Sequence, residues 1–434
     1  MDQSQYRLIY EYFASRIRFG YYKRGDRLPS LDRWCQKFFV SRQTMRSAFL
    51  QLQEDGFLSV SPGRQTTVVY DASDGEIKQN IRAYYLARRA GLEDLYRSTA
   101  LYLNPLLREG CALLKQTDLK SLEEAASQPE TEASYLSLRC CYTMLGRLNN
   151  PLAMNLFSET VLYYQFPCFQ GAVHLSGIDP EPFSIALQQV AACCGRLDRD
   201  GLWQAFLRLQ ELYQSNMAGY LSALPDGDDT PQIPFQWQVY RDRPQCCYSL
   251  VSLLIRGVVE GIYQPGTLLP SYGEMAREHG VSVSTARRCV SLLNGLGITR
   301  TSNGVGTQVM FSAPDLQKLR RPAVFRNFDI LCQSLQIVNL TCGALTDLLF
   351  SAVSRESLLA LRRDLEHALR TEGLSYLLFF TMSRLLKLYP PASVREISSK
   401  LYGFLLWGYP FIQTVPLTGA ARGAAGKLIQ GLAD

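Results

Sequence analysis

The stretch LPSLDRWCQKFFVSRQTMRSAFLQLQEDGF, Leu28–Phe57, returns 241 residues later as LPSYGEMAREHGVSVSTARRCVSLLNGLGI, Leu269–Ile298. An internal repeat constrains architecture before any other feature does, because both copies must accept one backbone plan. Aligned without a gap, residues 6–70 and 247–311 share sixteen identities over 65 positions. Among them are Gly20/Gly261, Gly25/Gly266, Leu28-Pro29-Ser30/Leu269-Pro270-Ser271, Val40-Ser41/Val281-Ser282, Thr44/Thr285, Arg46/Arg287 and Gly56/Gly297. Glycines, a turn proline and hydroxyl residues are what recur, and those residues set backbone rather than surface.

The plan is readable locally. A helix over about 5–19 is stopped by Gly20, and the turn YKRGD leads to LPS. There Pro29 biases Leu28 towards extended backbone, and Ser30 can cap a short helix over 31–38. Ser41 is a second capping serine. The helix that it opens carries Met45, Ala48, Phe49 and Leu52 at i, i+3, i+4, i+7, a buried face, and closes at Gly56. Two short strands then flank a glycine-containing turn in FLSV-SPGRQ-TTVVY. Three helices followed by a β-ribbon make a winged helix-turn-helix.

Charge follows the repeat. Residues 1–70 hold 11 Lys/Arg against 6 Asp/Glu, and residues 247–311 hold 5 against 3, in a chain of net charge +6. The positive excess lies in the two copies, as nucleic-acid binding requires. Twelve cysteines include three adjacent pairs and no CxxC spacing, and there are three histidines. Reduced, apolar cysteines are expected, with no zinc site and no cofactor. The N-terminus has no apolar signal core. The most apolar run, Leu374–Pro391, contains Arg384 and Lys387 and is read as a buried helix rather than a membrane span. The expected location is the cytoplasm, at the nucleoid, with no membrane partner.

Outside the copies the chain reads as helical, over 76–165, 183–221 and 315–434, with breaks at Pro105, Pro129, Pro151 and Pro167. The fold class expected is mainly α. The domains are a winged helix-turn-helix over 1–70, an all-helical domain over 71–223, a linker over 224–245, a second winged helix over 246–311 and a second helical domain over 312–434. A fainter echo (SYL…TM…RL…P at 134–151 and 375–390) points to duplication of the helical part too, giving a pseudo-dimer in one chain.

Duplex DNA is read by a helix in the major groove whose first turns face base edges. In the first copy the exposed side of that helix is Arg42, Gln43, Arg46 and Ser47, with Arg42 and Arg46 projecting together at i, i+4. Arginine pairs bidentately with guanine and glutamine with adenine, while Ser41, Thr44 and the helix amides suit phosphates. Arg64, at the ribbon tip, is placed to enter the minor groove.

The run GYYKRGDRLPSLDRW…VSRQTMRSAFLQLQEDGFL…PGRQTTVV resembles the DNA-binding domain of the GntR family of bacterial transcription regulators. The second copy resembles it through GIYQPGTLLPS…GVSVSTARR…LLNGLGI…NGVGTQV, and the two matches cover about 130 residues. The resemblance implies DNA contacts from Arg42, Thr44, Arg46 and the wing. The site set is therefore Ser30, Arg33, Ser41, Arg42, Gln43, Thr44, Arg46, Arg64 and Thr66, with Ser271, Ser282, Ser284, Thr285, Arg287, Arg288 and Thr307 in the second copy. Departures are Leu31-Asp32 before Arg33, Gln65 for the second wing glycine, Val283 at the position of Arg42 and Glu274 at that of Arg33. The second copy is expected to bind more weakly and to read a different half-site.

The leading reading is a non-enzymatic, sequence-specific transcription regulator with an imperfectly palindromic, asymmetric operator. The helical regions would serve dimerisation and effector sensing, so a small-molecule effector and a homodimer are further expected partners. Tyr84-Tyr85, Tyr163-Tyr164, Phe379-Phe380 and Trp407 are read mainly as core, with a ligand pocket as the other reading. The rival functions are a plasmid-type replication initiator and a protein–protein adaptor with degenerate winged helices.

Overall fold

The computed structural model describes residues 3–38, 40–61, 65–128, 133–165, 181–225, 230–239, 246–315, 317, 322–371, 373–412 and 419–432. The chain divides into two compact units, Met1–Val239 and Tyr240–Asp434.

The first unit opens with α1 (Gln3–Arg18), α2 (Leu31–Phe38) and α3 (Arg42–Glu54). Phe13 of α1 organises their core: its ring meets Trp34 of α2 and Phe49 of α3 edge-to-face, each at 5.0 Å between centroids. The α3 face expected to be buried is buried, with Met45, Ala48, Phe49 and Leu52 all inside. Ser41 caps α3, its hydroxyl accepting from the Thr44 amide at 3.1 Å. Gly56 ends the segment at φ +79°, where a Cβ would cost about 1–2 kcal/mol. The ribbon is short: β1 (Leu58–Ser59) pairs antiparallel with β2 (Thr67–Val68). It is tied to the chain before α2 by the Leu28 amide, which donates to the Thr66 carbonyl at 2.9 Å.

Helices α4 (Asp74–Leu86), α5 (Arg89–Ala112), α6 (Gln116–Ala126), α7 (Ala133–Arg147), α8 (Pro151–Tyr164), α9 (Glu181–Gly195) and α10 (Arg199–Ala223) follow. Pro151 starts α8 at its first turn, where the missing amide is no loss, and Asn150 caps it. Pro105, expected to break a helix, instead lies within α5. Pro129 and Pro167 fall outside the described residues. Asp118 of α6 takes two hydrogen bonds from Arg147 of α7, at 2.7 and 2.5 Å, and so fixes that helix pair.

The expected linker over 224–245 needs correction for 230–239, which is packed on the first unit. Trp237 is buried and donates to Asn155 of α8 at 2.8 Å. The Ile233 amide donates to the Ala87 carbonyl at 2.7 Å, and the Tyr163 hydroxyl donates to the Ile233 carbonyl at 2.5 Å. Prolines and acids disguised a segment whose Phe235 and Trp237 are too apolar to leave in water.

The second unit opens with α11 (Cys246–Val259), α12 (Tyr272–Glu278) and α13 (Val283–Gly295), then the antiparallel pair β3 (Thr299–Ser302) and β4 (Gly306–Val309). Next come α14 (Pro322–Ala352), α15 (Arg355–Thr371), α16 (Leu374–Leu388), α17 (Ala392–Leu405), a 3-10 turn (Leu406–Gly408), α18 (Tyr409–Ile412) and α19 (Gly419–Gly431). Both ends of α3 and α13, of α7 and α16, and of α8 and α17 lie 241 positions apart. Six of the eight buried residues of α8 (Leu152, Ala153, Leu156, Phe157, Thr160, Val161) correspond at the same offset to six of the seven in α17 (Ser393, Val394, Ile397, Ser398, Leu401, Tyr402), while Ser158, Glu159 and Leu405 have no buried counterpart.

The cores differ. The three helices and ribbon of the first unit enclose a cluster of their own. In the second unit one cluster runs from Val251 and Leu254 of α11 through α13 to Tyr402, Leu405 and Trp407. The apolar run at 374–391 forms α16, and a longer apolar helix among the described residues is α14. Its segment Asn327–Ala352 is long and apolar enough to cross a membrane by length and composition, with 22% of the window buried. In α16 the apolar run is partly sunk into the core through Leu377 and Phe379.

Candidate nucleic-acid interface

The cap at Ser41 sets the register of α3, and with its apolar face inward, Arg42, Gln43 and Arg46 are forced outward, all exposed. Arg46 engages no neighbour among the described residues. Arg42 lies 3.4 Å from Asp32 of α2, a pair that is largely in water on both sides and therefore weak. The sequence carried no local signal for that contact, since α2 and α3 meet through a turn. Ser30 and Arg33 are exposed at the start of α2, the Arg33 amide donating to the Ser30 hydroxyl at 3.3 Å.

Thr44 is placed differently from the expectation. It is 4% exposed, and its hydroxyl lies 2.8 Å from that of Ser41, so it serves the cap instead of facing outward. Thr66 and Thr307 are likewise buried, Thr307 sharing a hydrogen bond with Thr301 across β3 and β4 at 3.0 Å. Thr307 thus links β3 to β4, and the Thr66 carbonyl accepts from the Leu28 amide, so these threonines are part of the local framework of each module. Arg64 lies outside the described residues.

In the second unit Ser271 caps α12 with Glu274 closing the reciprocal bond, Ser271 amide to Glu274 carboxylate, at 2.8 Å. Those hydrogen bonds hold the Glu274 carboxyl below its ordinary range. Glu274 is thus occupied as a capping acid at the position where the first unit has Arg33. Ser282 caps α13 through the Thr285 amide at 3.1 Å and also lies 2.8 Å from the Ser284 hydroxyl. Val283 is 48% exposed beside them. Arg287 sits over the Tyr272 ring at 5.8 Å, and Arg288 donates to the Tyr248 hydroxyl at 3.1 Å. The two arginines keep exposed side chains but are steered by aromatic neighbours that sequence reading did not pair with them.

Elsewhere, Tyr85, Phe379 and Trp407 are core residues, Trp407 donating to Ser252 at 3.0 Å. Tyr164 does line a cavity of about 70 Å³, with Tyr96, Thr99, Gln210, Gln214 and Met217. Its hydroxyl lies 3.1 Å from that of Thr99, and burial pushes its pKa up. Ten cysteines, among them Cys111 and Cys194, are free thiols, and burial raises Cys111 to about 11 and Cys194 to about 12. Among the described residues no group of three or more His, Cys, Asp or Glu could hold a metal ion.

Residues 5–68 match the protein-family model for bacterial regulatory proteins, gntR family. Over 78 residues the chain is 31% identical to the uncharacterized HTH-type transcriptional regulator YieP of Escherichia coli (strain K12), covering 18% of this chain and 34% of that protein. The chain thus spans about a third of the length of that curated relative. Two solved structures, E. coli McbR/YncC and Streptococcus agalactiae GntR, are 20% and 17% identical. The first covers 51% of this chain and 95% of its own at a TM-score of 0.23, the second 50% and 99% at 0.19. With its three-helix core, capped α3, outward arginines and short ribbon, the segment 5–68 is a GntR-family helix-turn-helix domain.

Proposed function

We propose that this chain is a sequence-specific, DNA-binding transcription regulator that carries two winged helix-turn-helix modules in tandem. The observation that carries the reading is Arg42 and Arg46, exposed one turn apart on the capped helix of a GntR-family domain. In this reading each meets guanine bidentately and Gln43 meets adenine, with Ser41, Thr44 and the helix amides at the phosphates and the wing in the minor groove.

The tandem arrangement rests on the constant offset of 241 between the helices and on the shared buried registers of α8 and α17. Duplication of a whole unit, winged helix and helical bundle together, accounts for both. Tethering two readers raises their effective concentration and lets each diverge, so the operator is an asymmetric, imperfect palindrome. The bundles serve assembly, and the cavity at Tyr164 is the place for an uncharged effector no larger than a few heavy atoms.

The test is a gel shift on genomic fragments at low salt. Wild type is expected to shift a subset of fragments, and Arg42→Ala with Arg46→Ala to weaken binding about a hundredfold, at ~1–3 kcal/mol per lost base contact. If wild type shifts no fragment, the regulator reading fails and the adaptor reading takes its place.

A further inference from the structure

The two modules carry different chemistry on equivalent surfaces. Four arginines of the first, Arg27, Arg33, Arg42 and Arg64, are replaced at the 241-residue offset by Leu268, Glu274, Val283 and Val305. The three apolar replacements are not absorbed into the core: Leu268 is 52% exposed, Val283 48% and Val305 67%. Glu274 is held in its capping box. Positive charge has therefore been lost from four positions of the second module while its helix geometry has not changed. Both α3 and α13 run thirteen residues from a serine cap in extended backbone.

On the outward side of α13, Val283 and Arg287 stand one turn apart, where α3 has Arg42 and Arg46. One arginine is kept and one is exchanged for an exposed isopropyl group. The major groove offers one apolar feature to such a group, the C5-methyl of thymine. Set against guanine instead, valine would cover the O6 and N7 acceptors without satisfying them, which is costly. We infer that Val283 is a specificity-determining residue that selects thymine by methyl contact. The second half-site then has thymine where the first has guanine, and both keep guanine opposite Arg46 and Arg287. This inference rests on the proposed DNA-binding function and names the sequence class read by the second module.

The experiment is binding-site selection from random duplex with the full chain, followed by deoxyuridine substitution, which removes only the thymine methyl. Selection is expected to return two unlike half-sites. Replacing the critical thymine by deoxyuridine is expected to weaken wild-type binding about fourfold, the factor set by burying one methyl group. Val283→Ala should be insensitive to that replacement, and Val283→Arg should select guanine at the position. A single half-site, a second half-site indifferent to deoxyuridine, or a deoxyuridine effect unchanged in Val283→Ala would each overturn the inference while leaving the first module's reading intact. Failure to bind any duplex would overturn that reading and this one together.

Discussion

Single side chains separate charge left at the surface from charge that serves the fold. Arg16 adds to the basic count of residues 1–70, yet it is fully buried, its guanidinium 4.3 Å from the Tyr12 ring centre and 4.2 Å from that of Tyr21. Its counterpart is Gly257, where an added Cβ would come within 2.7 Å of the Tyr263 ring. Net charge in a sequence thus overstated the surface by one cation, because aromatic shielding depends on packing that composition does not contain. Asp32 stands at the other extreme. Its exposed pairing with Arg42 contributes well under ~1 kcal/mol to stability. Asp32→Asn should therefore leave the melting temperature within about a degree and tighten DNA binding at low salt by freeing Arg42 and removing a negative charge. Anisotropy titration and thermal unfolding on one preparation check both. Gly297 is a third kind of position, at φ +74° with the Ser312 carbonyl oxygen 2.2 Å from where a Cβ would stand. Gly297→Ala should destabilise the second unit by at least about 2 kcal/mol, read by denaturant unfolding.

Among the elements, the winged-helix helices were legible because caps, turn glycines and apolar spacing all spoke for the same boundaries. Ser41, the Met45–Leu52 face and Gly56 bracket α3 within the residues expected. Less was legible where one signal stood alone. Pro105 looked like a break but is carried inside α5, whose flanking turns are held by Leu103, Leu106 and Leu107 in the core. The packed segment 230–239 was hidden by its own prolines. The Asp118–Arg147 link between α6 and α7 was invisible because its partners lie 29 residues apart. Burial acts to raise the Asp118 carboxyl, but the hydrogen bonds from Arg147 and the Lys115 amide outweigh it and hold the group below the ordinary carboxylate range. A depressed folded-state value means that the stabilisation is present above the unfolded value of ~3.9 and is lost as pH falls through the folded value. Asp118→Asn should therefore be less stable than wild type at pH 7, with the gap closing below pH ~4, in urea titrations across that range.

For the whole molecule, the two modules are joined to their helical regions in different ways. The core of the first closes on itself, whereas that of the second continues through α11 into Tyr402, Leu405 and Trp407. Residues 1–70 expressed alone should unfold cooperatively, while residues 246–311 alone, stripped of the Trp407 side of their core, should not. Circular dichroism melts of the two fragments decide this. The repeat itself was plain in the sequence of the winged modules and faint in the bundles, because core positions accept any apolar residue of suitable size. Leu156 and Ile397, or Val161 and Tyr402, preserve a register but not a letter. The proposed function gives the chain one strongly basic reader in the first module and a second that keeps Arg287 but presents Val283. Hydroxyl-radical footprinting of the full chain on its selected operator tests that claim most directly. Two protected patches are expected, both lost with Arg42→Ala plus Arg46→Ala and only the second altered by Val283→Arg. Protection that survives the double substitution, or a single patch with wild type, would contradict it.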